Sequence, residues 1–294
     1  SLEKDILSGA LSENTKLPPQ RELADFLDLN LSTITRAYKL CELKGLLYAI
    51  TGKGTFVSPG ISAQDTFLDQ SSPVIEMGMI KPFYEWNQSI LNIAGKVVNS
   101  TDNSRLLEYS NPFGTDRQVK AARKWLHHFG IDAPKENILL SAGAQNALSV
   151  VLISLFKAGD KIAVDAFTYT NFKGLANFLH IQLISIETDG CGMTPASLLQ
   201  ACRNTEIKGL YLMPTCSNPT SIFMPAARRQ EIADIARQFH LLLIEDDIYS
   251  FLAPKGVKSF FSMLPEQTVH ICSISKSLCA GLRVAFLAFA AKYR

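Results

Sequence analysis

Apolar residues in the later part of the chain recur with two alternating periods, and this alternation predicts an α/β fold. Over 228–239 they recur at the i, i+3, i+4 and i+7 positions of an amphipathic helix. The uninterrupted apolar run Leu241–Ile244 follows, as expected of a strand that is buried on both faces. The same patterns occur upstream, with helical periods at 116–129 and 145–157 and a strand at 161–164. The sequence therefore predicts a mostly parallel sheet packed between helices.

The first part of the chain has shorter apolar repeats, which predict a winged helix-turn-helix. Two short helices flank a turn at 28–30, and either Asn30 or Ser32 caps the second of them. A hairpin follows, because two β-type runs are joined by a tip that contains two glycines. The expected helices are 2–10, 21–27 and a third that ends at Gly45, and the expected strands are 46–50 and 55–57. In a helix-turn-helix, the second helix of the pair enters the major groove of DNA.

The stretch between these two patterns has little periodicity and is interpreted as a linker. A chain of 294 residues with 47% hydrophobic content is long enough for about two domains, each with its own core. We therefore place a DNA-binding domain at 1–58, a linker at 59–72 and an α/β domain at 73–294.

Composition narrows the class of protein without identifying a partner. The formal net charge is +2, from 29 basic and 27 acidic residues, so the bulk charge indicates neither nucleic acid nor membrane binding. No apolar run is long enough to predict a membrane span, and none resembles a signal peptide. The six cysteines show no CxxC spacing, so we expect free thiols in a cytoplasmic protein and no metal site.

Candidate chemistry lies where apolar runs end. Lys276 follows a β-type run, and an amine at the buried end of a strand loses solvation, which lowers its pKa and makes it a better nucleophile towards an aldehyde. Asp246 and Tyr249 follow another apolar run, and Asn218 follows a third. The small residues of 141–148 open a helix whose N-terminus suits an anion. Open α/β sheets bind ligands at the carboxyl ends of their strands, so these residues are expected to meet.

Each of these residues also has a structural interpretation. A lone lysine is usually solvated, Asp246 could cap a helix, and Arg283 could be a surface charge. The order and spacing of the whole set favour a common site. In this order, the residues resemble the large domain of fold type I aminotransferases, which use pyridoxal phosphate (PLP). Together with LPPQRELADFL, TITRAYKLCELKGL and GKGTFV in the first domain, they resemble a MocR-type member of the GntR family of bacterial transcription regulators.

The resemblance implies a PLP site and a role for each residue at it. Lys276 would form the Schiff base, and Asp246 would pair with the pyridine nitrogen of the cofactor. Tyr169 would stack on the cofactor ring. Tyr109 would reach the phosphate in the partner subunit, which implies a homodimer. The hydrogen-bond donors to the phenolic oxygen would be Asn218 and Tyr249, and the phosphate ligands would be Ala144, Gln145, Ser273, Ser275 and Arg283.

The resemblance also implies a DNA-binding face on the first domain. The base-reading residues would be Ser32, Thr33, Thr35 and Arg36, with Arg21 and Lys53 on phosphates or in the minor groove. Residues 1–60 contain seven basic and seven acidic side chains, so binding would depend on a local patch. That patch would comprise Arg21, Arg36, Lys39, Lys44 and Lys53. Relatives commonly have arginine where this chain has Leu31, and a small three-helix domain used for dimerisation is the structural alternative.

Three functions are open at this point. A transcription regulator would bind operator DNA and sense PLP or a PLP–amine adduct, with an amine or amino acid as effector. A catalytically active aminotransferase that carries a DNA-binding module is the alternative, and a DNA-binding dimer that has lost its cofactor is the third. Relatives continue into a small C-terminal domain that supplies an arginine for the substrate carboxylate. We expect that domain to be missing here and assign no residue to carboxylate binding.

Overall fold

The computed structural model describes residues 2–12, 14–50, 52–58, 80–82, 84–100, 108–109, 111 and 113–294. The chain divides into two units, Ser1–Met79 and Ile80–Arg294, and each is described by itself. The predicted linker at 59–72 and the predicted start of the α/β domain at 73 lie outside the described residues.

The first unit consists of three helices followed by a hairpin in its described residues. These elements are α1 (Leu2–Leu7), α2 (Gln20–Leu27), α3 (Leu31–Leu43), β1 (Leu47–Ile50) and β2 (Gly54–Val57). Of the two candidate caps of α3, Asn30 is the N-cap, and its side-chain oxygen accepts a hydrogen bond from the Ser32 backbone N–H at 2.9 Å. The two strands pair antiparallel, with Leu47 opposite Val57. The predicted winged helix-turn-helix is confirmed.

The first helix ends earlier than its apolar pattern predicted. It ends at Leu7 and not at residue 10, because Gly9 adopts a left-handed φ of +76°. The Tyr38 hydroxyl donates a hydrogen bond to the Pro18 carbonyl oxygen at 2.8 Å, which ties α3 to the segment before α2. The buried core of this unit comprises Ile6, Leu17, Ala24, Ile34, Tyr38, Cys41, Leu46, Leu47 and Val57.

The second unit alternates helices and strands, as the sequence predicted. Its helices are α4 (Asn87–Val98), α5 (Asp116–His128), α6 (Ala144–Leu155), α7 (Thr170–Phe178), α8 (Pro195–Asn204), α9 (Ala226–Gln238) and α10 (Phe260–Met263). Its strands are β3 (Ile138–Ser141), β4 (Lys161–Asp165), β5 (Gln182–Ile186), β6 (Thr188–Asp189), β7 (Gly192–Met193), β8 (Gly209–Leu212), β9 (Leu242–Asp246), β10 (Thr268–Ser273) and β11 (Ala285–Ala288).

Seven of these strands form one sheet, in the order β3-β11-β10-β9-β8-β4-β5. Strands β5, β4, β8, β9 and β10 pair parallel with their neighbours, whereas β11 is antiparallel to both β10 and β3. Six strands therefore end at one edge of the sheet, and β11 begins there. We call this edge the strand-end edge, and the predicted α/β fold with a mostly parallel sheet is confirmed.

Both faces of the sheet are covered, which explains the uninterrupted apolar run in β9. Ile244 packs in a cluster with Leu148 of α6 and Phe172 of α7 on one face. Its neighbour Leu243 packs with Ile232 of α9 on the other face, because successive side chains of a strand point to opposite sides. Among the described residues, no helix is both long enough and apolar enough to cross a membrane.

Candidate functional site

The strand-end edge of the sheet brings most of the predicted cofactor-binding residues together. Asp246 is the last residue of β9, and Ser273 is the last residue of β10. Because β11 runs in the opposite direction, Arg283 lies at the same edge although it precedes its strand. In the register of the sheet, Ala285 of β11 is opposite both Ser273 and Ser141.

The carboxylate of Asp246 is buried, and only one of its two oxygens has a hydrogen-bond partner within the described part of the chain. The Tyr211 hydroxyl donates a hydrogen bond to Asp246 Oδ2 at 2.7 Å. The other oxygen, Oδ1, is buried and has no hydrogen-bond partner within the described part of the chain. Burial raises the pKa of Asp246 to about 6, while the Tyr211 hydrogen bond opposes this rise. A cationic or N–H donor aimed at Oδ1 would complete the carboxylate and restore its charge.

Lys276 lies in the turn after β10 and is partly buried. Its amine donates a hydrogen bond to the backbone carbonyl oxygen of Ile80. Burial lowers the pKa of Lys276, and the positive charge of Arg283 lowers it further. Both effects favour the neutral amine, which is the nucleophilic form that an aldehyde requires.

An anion-binding corner is formed by the start of α6 and Arg283. Ala144 and Gln145 are the first two residues of α6, so the backbone N–H groups of this turn have no partner inside the helix. Gly143 caps the helix with a φ of +88°, and a Cβ built on it would lie 2.6 Å from Arg283 Nη2. The guanidinium therefore packs directly on the helix N-terminus, and a side chain at position 143 would displace it. Arg283 itself is exposed, so its donors are open to a ligand.

The two predicted serines differ in what their hydroxyls do. Ser273 Oγ donates to the Val284 carbonyl oxygen at 3.2 Å and accepts from the Ser275 backbone N–H at 3.1 Å. Ser273 therefore braces the turn that precedes Lys276. Ser275 Oγ is buried without a hydrogen-bond partner among the described residues, and the same holds for Ser277 Oγ.

Three further predicted residues lie in the segments that follow strands β9, β4 and β8. Tyr249 is buried, and burial raises the pKa of its hydroxyl, with a smaller effect of Cys216. Tyr169 is the residue before α7, and burial followed by the charge of Asp246 raises its pKa. Asn218 is partly buried in the loop 213–225, which follows β8. Tyr109, in contrast, is fully exposed and makes no hydrogen bond or ring contact within the described part of the chain.

Sequence reasoning missed Tyr211, Gly143 and Arg229. Tyr211 lies within the apolar run of β8. The signal available in the sequence was that a buried tyrosine hydroxyl needs a hydrogen-bond partner. Its ring stacks on Phe172 with centroids 3.7 Å apart. Arg229 is buried, and it donates to the carbonyl oxygens of Met224 at 2.9 Å and Pro214 at 3.0 Å. Arg229 thus connects both ends of the loop that carries Asn218 through hydrogen bonds.

These features fit PLP. The buried, unpaired Oδ1 of Asp246 is an acceptor for a ring N–H, and the corner of Gly143 and Arg283 suits a phosphate. Lys276 supplies a partly buried amine with a lowered pKa near Arg283. The chain therefore offers an acid, an amine and an anion site at one edge of one sheet.

The predicted DNA-binding residues lie on the exposed side of the first unit. Arg21, Ser32, Thr33, Thr35, Arg36 and Lys53 are all exposed. Arg21, Thr35 and Lys53 line one groove of about 490 Å³ between α2, α3 and the hairpin tip. One member of the predicted cationic patch is engaged elsewhere, because Lys44 Nζ forms an ion pair with Glu3 at 2.7 Å.

Comparison with known proteins separates the two units in the same way. The family described as aminotransferase class I and II matches residues 73–294, and bacterial regulatory proteins of the gntR family match residues 1–57. An uncharacterised HTH-type transcriptional regulator of Bacillus subtilis, YdeF, is 42% identical over 100% of this chain. An aromatic amino acid aminotransferase of Dictyostelium discoideum is 30% identical over 69% of this chain and 47% of its own length. This chain spans 64% of the length of the Bacillus relative.

Solved structures show the same fold in the second unit. An archaeal alanine:glyoxylate aminotransferase superposes with a TM-score of 0.72 over 79% of this chain and 59% of its own length, at 20% identity. At that level of identity, the likeness concerns the fold alone.

Proposed function

The chain belongs to the GntR-type transcription regulators that carry an aminotransferase class I and II domain, the MocR architecture, and from that premise we propose that it regulates transcription in response to PLP. The family matches confirm the resemblance that the motifs predicted. In this proposal, residues 1–58 bind operator DNA, residues 59–72 link the domains, and residues 73–294 bind the cofactor.

The observation that carries the proposal is the incomplete hydrogen bonding of Asp246. A buried carboxylate with a free oxygen destabilises the folded chain unless a donor completes it. Asp246 ends β9 and Lys276 follows the neighbouring strand β10, so the strand-end edge carries both the acid and the amine that a ligand with a protonated ring nitrogen and an aldehyde requires. PLP is such a ligand, and when bound it supplies a carbonyl that reacts with amines and a ring that withdraws electrons.

Each nearby residue then has a binding role. Asp246 accepts from the ring nitrogen, and Lys276 provides the amine that attaches the cofactor. The phenolic oxygen accepts hydrogen bonds from Asn218 and Tyr249, and Tyr169 packs on the ring. The phosphate ligands are the N-terminal residues Ala144 and Gln145 of α6, Ser275 and Arg283, while Ser273 orients the turn. Tyr109, whose ring is exposed, serves the phosphate of a second subunit in a homodimer.

Regulation requires that the ligand distinguish two states of the protein. A ligand that binds both arrangements of the DNA-binding domains equally shifts nothing. We therefore propose that PLP, or PLP that has reacted with an amine or amino acid, favours the arrangement that fits the operator.

A catalytically active aminotransferase is the second candidate. Burial and the charge of Arg283 lower the pKa of Lys276, which favours this candidate, because a general base acts through its neutral form. The two candidates differ in whether product accumulates, and the relative named an aromatic amino acid aminotransferase makes the assay necessary.

The test is a visible absorption titration of the full chain with PLP, followed by candidate amines and amino acids. We expect a visible band that Lys276→Ala abolishes, whereas Lys173→Ala, which changes an exposed lysine on α7, retains it. A band that responds to one amine without steady product supports the regulator. Continuous formation of a keto acid or aldehyde supports the enzyme, and the absence of any band in the unaltered chain contradicts both.

The DNA-binding part has its own test. Arg36→Ala should weaken binding of DNA in a gel-shift assay while PLP binding is unchanged, because Arg36 lies on the exposed side of α3 in the first unit. Equal loss of both activities would contradict the division of labour between the two units.

A further inference from the structure

One apolar side chain stands on the exposed face of α3 among polar and cationic ones. Leu31 is the first residue of α3, and its side chain is 40% exposed. It lines the groove that contains Arg21 and Lys53, and it also lines a second groove that contains Arg36 and Lys39. Thr35, one helical turn further on, lines both grooves as well. Leu31 and Thr35 therefore form a ridge that separates two grooves. The first groove carries three cations, since Lys16 lines it as well, and the second carries two.

This arrangement matches the geometry of a DNA major groove. A helix that enters the groove presents its ridge to the base edges, while cations on either side reach the phosphates of the two strands. Phosphate contacts fix the register of the protein but carry no direct sequence information. The ridge is the part of this surface that faces the base edges, where sequence is read.

Two hydroxyl groups at the start of α3, those of Ser32 and Thr35, are already engaged within the protein. Ser32 Oγ donates to Asn30 Oδ1 at 2.8 Å, and Thr35 Oγ1 donates to Gln20 Oε1 at 2.8 Å. These protons are unavailable for base edges unless the internal hydrogen bonds break. On the ridge itself, the surface that meets a base without breaking an internal hydrogen bond is the apolar side chain of Leu31.

The thymine C5-methyl is the one apolar group that a base pair displays in the major groove. We infer that Leu31 is a specificity-determining residue that selects thymine through this methyl group. The inference rests on the proposed function, because it takes α3 as the recognition helix. It adds the chemical identity of one recognised base and the residue that reads it.

The test begins with selection of bound sequences by the full chain from a random double-stranded DNA pool. Thymines of the selected site are then replaced one at a time by uracil, which lacks the methyl group and keeps the hydrogen-bonding edge. We expect about a fourfold loss of affinity at one position of each half-site, which corresponds to the burial of one methyl group. Leu31→Ala should bind the thymine and uracil forms equally at that position.

Leu40→Ala is the matched control, because Leu40 is also on α3, is 51% exposed and lines neither groove. It should retain the difference between thymine and uracil. Leu31→Arg should shift the selected base from thymine towards guanine, the partner that an arginine fork prefers.

The outcomes separate this inference from the proposed function. If no sequence is enriched and no DNA binds, both are overturned together. If a site is selected but no thymine-to-uracil change alters affinity, the role of Leu31 is overturned while DNA binding stands. The same conclusion follows if Leu31→Ala keeps the full sensitivity of the unaltered chain.

Discussion

Two adjacent carboxylates in β9 lie on opposite faces of the sheet, and they differ in how many of their oxygens have a hydrogen-bond partner. Glu245 is fully buried and accepts hydrogen bonds from the Phe260 backbone N–H at 2.7 Å and the Phe261 backbone N–H at 3.0 Å. His270, its neighbour in β10, completes it with an Nδ1 to Oε2 distance of 2.9 Å. Asp246, the next residue, is equally buried, but within the described part of the chain its Oδ2 accepts a hydrogen bond from Tyr211 and its Oδ1 has no partner.

The charges of the two carboxylates reflect this difference. Burial raises the pKa of Glu245, but the charge of His270 and the hydrogen bonds outweigh burial and hold that pKa below its ordinary value. Burial dominates at Asp246 and raises its pKa to about 6. Among the described residues, Glu245 thus has partners for both oxygens, whereas Asp246, at the proposed cofactor site, has a partner for one. This comparison can be tested at each of the two residues.

The largest effect is expected when the complete carboxylate is removed. Glu245→Ala would leave the His270 cation buried without its partner and two backbone N–H groups without an acceptor. Breaking a buried ion pair in this way costs about 3–5 kcal/mol of the free energy of unfolding. Denaturant unfolding measures it, with Glu266→Ala as the matched change at an exposed glutamate. Equal unfolding midpoints for the two variants would contradict the structural role of Glu245.

The same pair predicts how stability varies with pH. Although burial lowers the pKa of His270, Glu245 raises it overall, from 6.5 to about 10 in the folded chain. A cation with a raised pKa stabilises the fold fully below pH 6.5, and this contribution is lost as the pH rises through about 10. The unfolding free energy of the unaltered chain should therefore fall across this range relative to that of His270→Asn. Parallel curves for the two proteins would contradict the ion pair.

A smaller effect of the opposite sign is expected at the incomplete carboxylate. The pKa of Asp246 is raised from 3.8 to about 6, so the charged form destabilises the folded chain above pH 6, by about 3 kcal/mol. Asp246→Asn removes this penalty but adds amide protons that need acceptors. We expect a net stabilisation of about 1–2 kcal/mol above pH 6 in the absence of PLP, and none below pH 3.8.

The same variant should bind PLP more weakly, by about 10- to 100-fold, because a charge-assisted hydrogen bond is lost. Thermal unfolding with and without PLP measures both effects, and Asp132→Asn is the control at an exposed carboxylate. A variant that loses stability without PLP and keeps its affinity would place Asp246 among the structural residues.

The sequence could predict the position of Asp246 but not the hydrogen bonding of its carboxylate. A carboxylate at the end of an apolar run lies at the end of a buried strand, so its location follows from the pattern. Its hydrogen bonding depends on which side chains of β8 and α7 reach the carboxylate. A tyrosine inside an apolar run is ordinarily interpreted as a core residue. The pair of Glu245 and His270 depends on the register between β9 and β10, which no local pattern contains.

The same limit applies to Arg283 and to the first helix. The corner of Gly143 and Arg283 exists only because β11 runs antiparallel between β10 and β3, and a run of four apolar residues does not reveal strand direction. The end of α1 depended on the backbone of Gly9, where an apolar period overestimates the helix. The fold class and the family could be predicted from the sequence, because they depend on the period of the apolar residues and on the order of the motifs. The residues expected at the strand-end edge were named from the same order.

The contribution of the hydrogen bond from Tyr211 to Asp246 can be measured separately. Tyr211→Phe removes the hydroxyl that donates to Oδ2 at 2.7 Å and keeps the ring that stacks on Phe172. We expect a loss of about 1–2 kcal/mol of unfolding free energy at neutral pH and a further rise in the pKa of Asp246, because that hydrogen bond favours the charged form. In the Asp246→Asn background the loss should shrink, and an equal loss in both backgrounds would mean that the hydroxyl acts elsewhere.

The smallest effect concerns the anion-binding corner, and two glycines with the same positive φ serve to test it. Gly143 and Gly159 both have a φ of +88°, but a Cβ on Gly143 would meet Arg283 at 2.6 Å, whereas a Cβ on Gly159 would meet no atom within 4 Å. Each change to alanine should cost about 1 kcal/mol of unfolding free energy from backbone strain. Only Gly143→Ala should also displace the guanidinium, which is free to move because Arg283 is exposed. We therefore expect Gly143→Ala, and not Gly159→Ala, to reduce the preference for PLP over pyridoxal in a binding titration. If both variants keep that preference, the corner does not hold the phosphate.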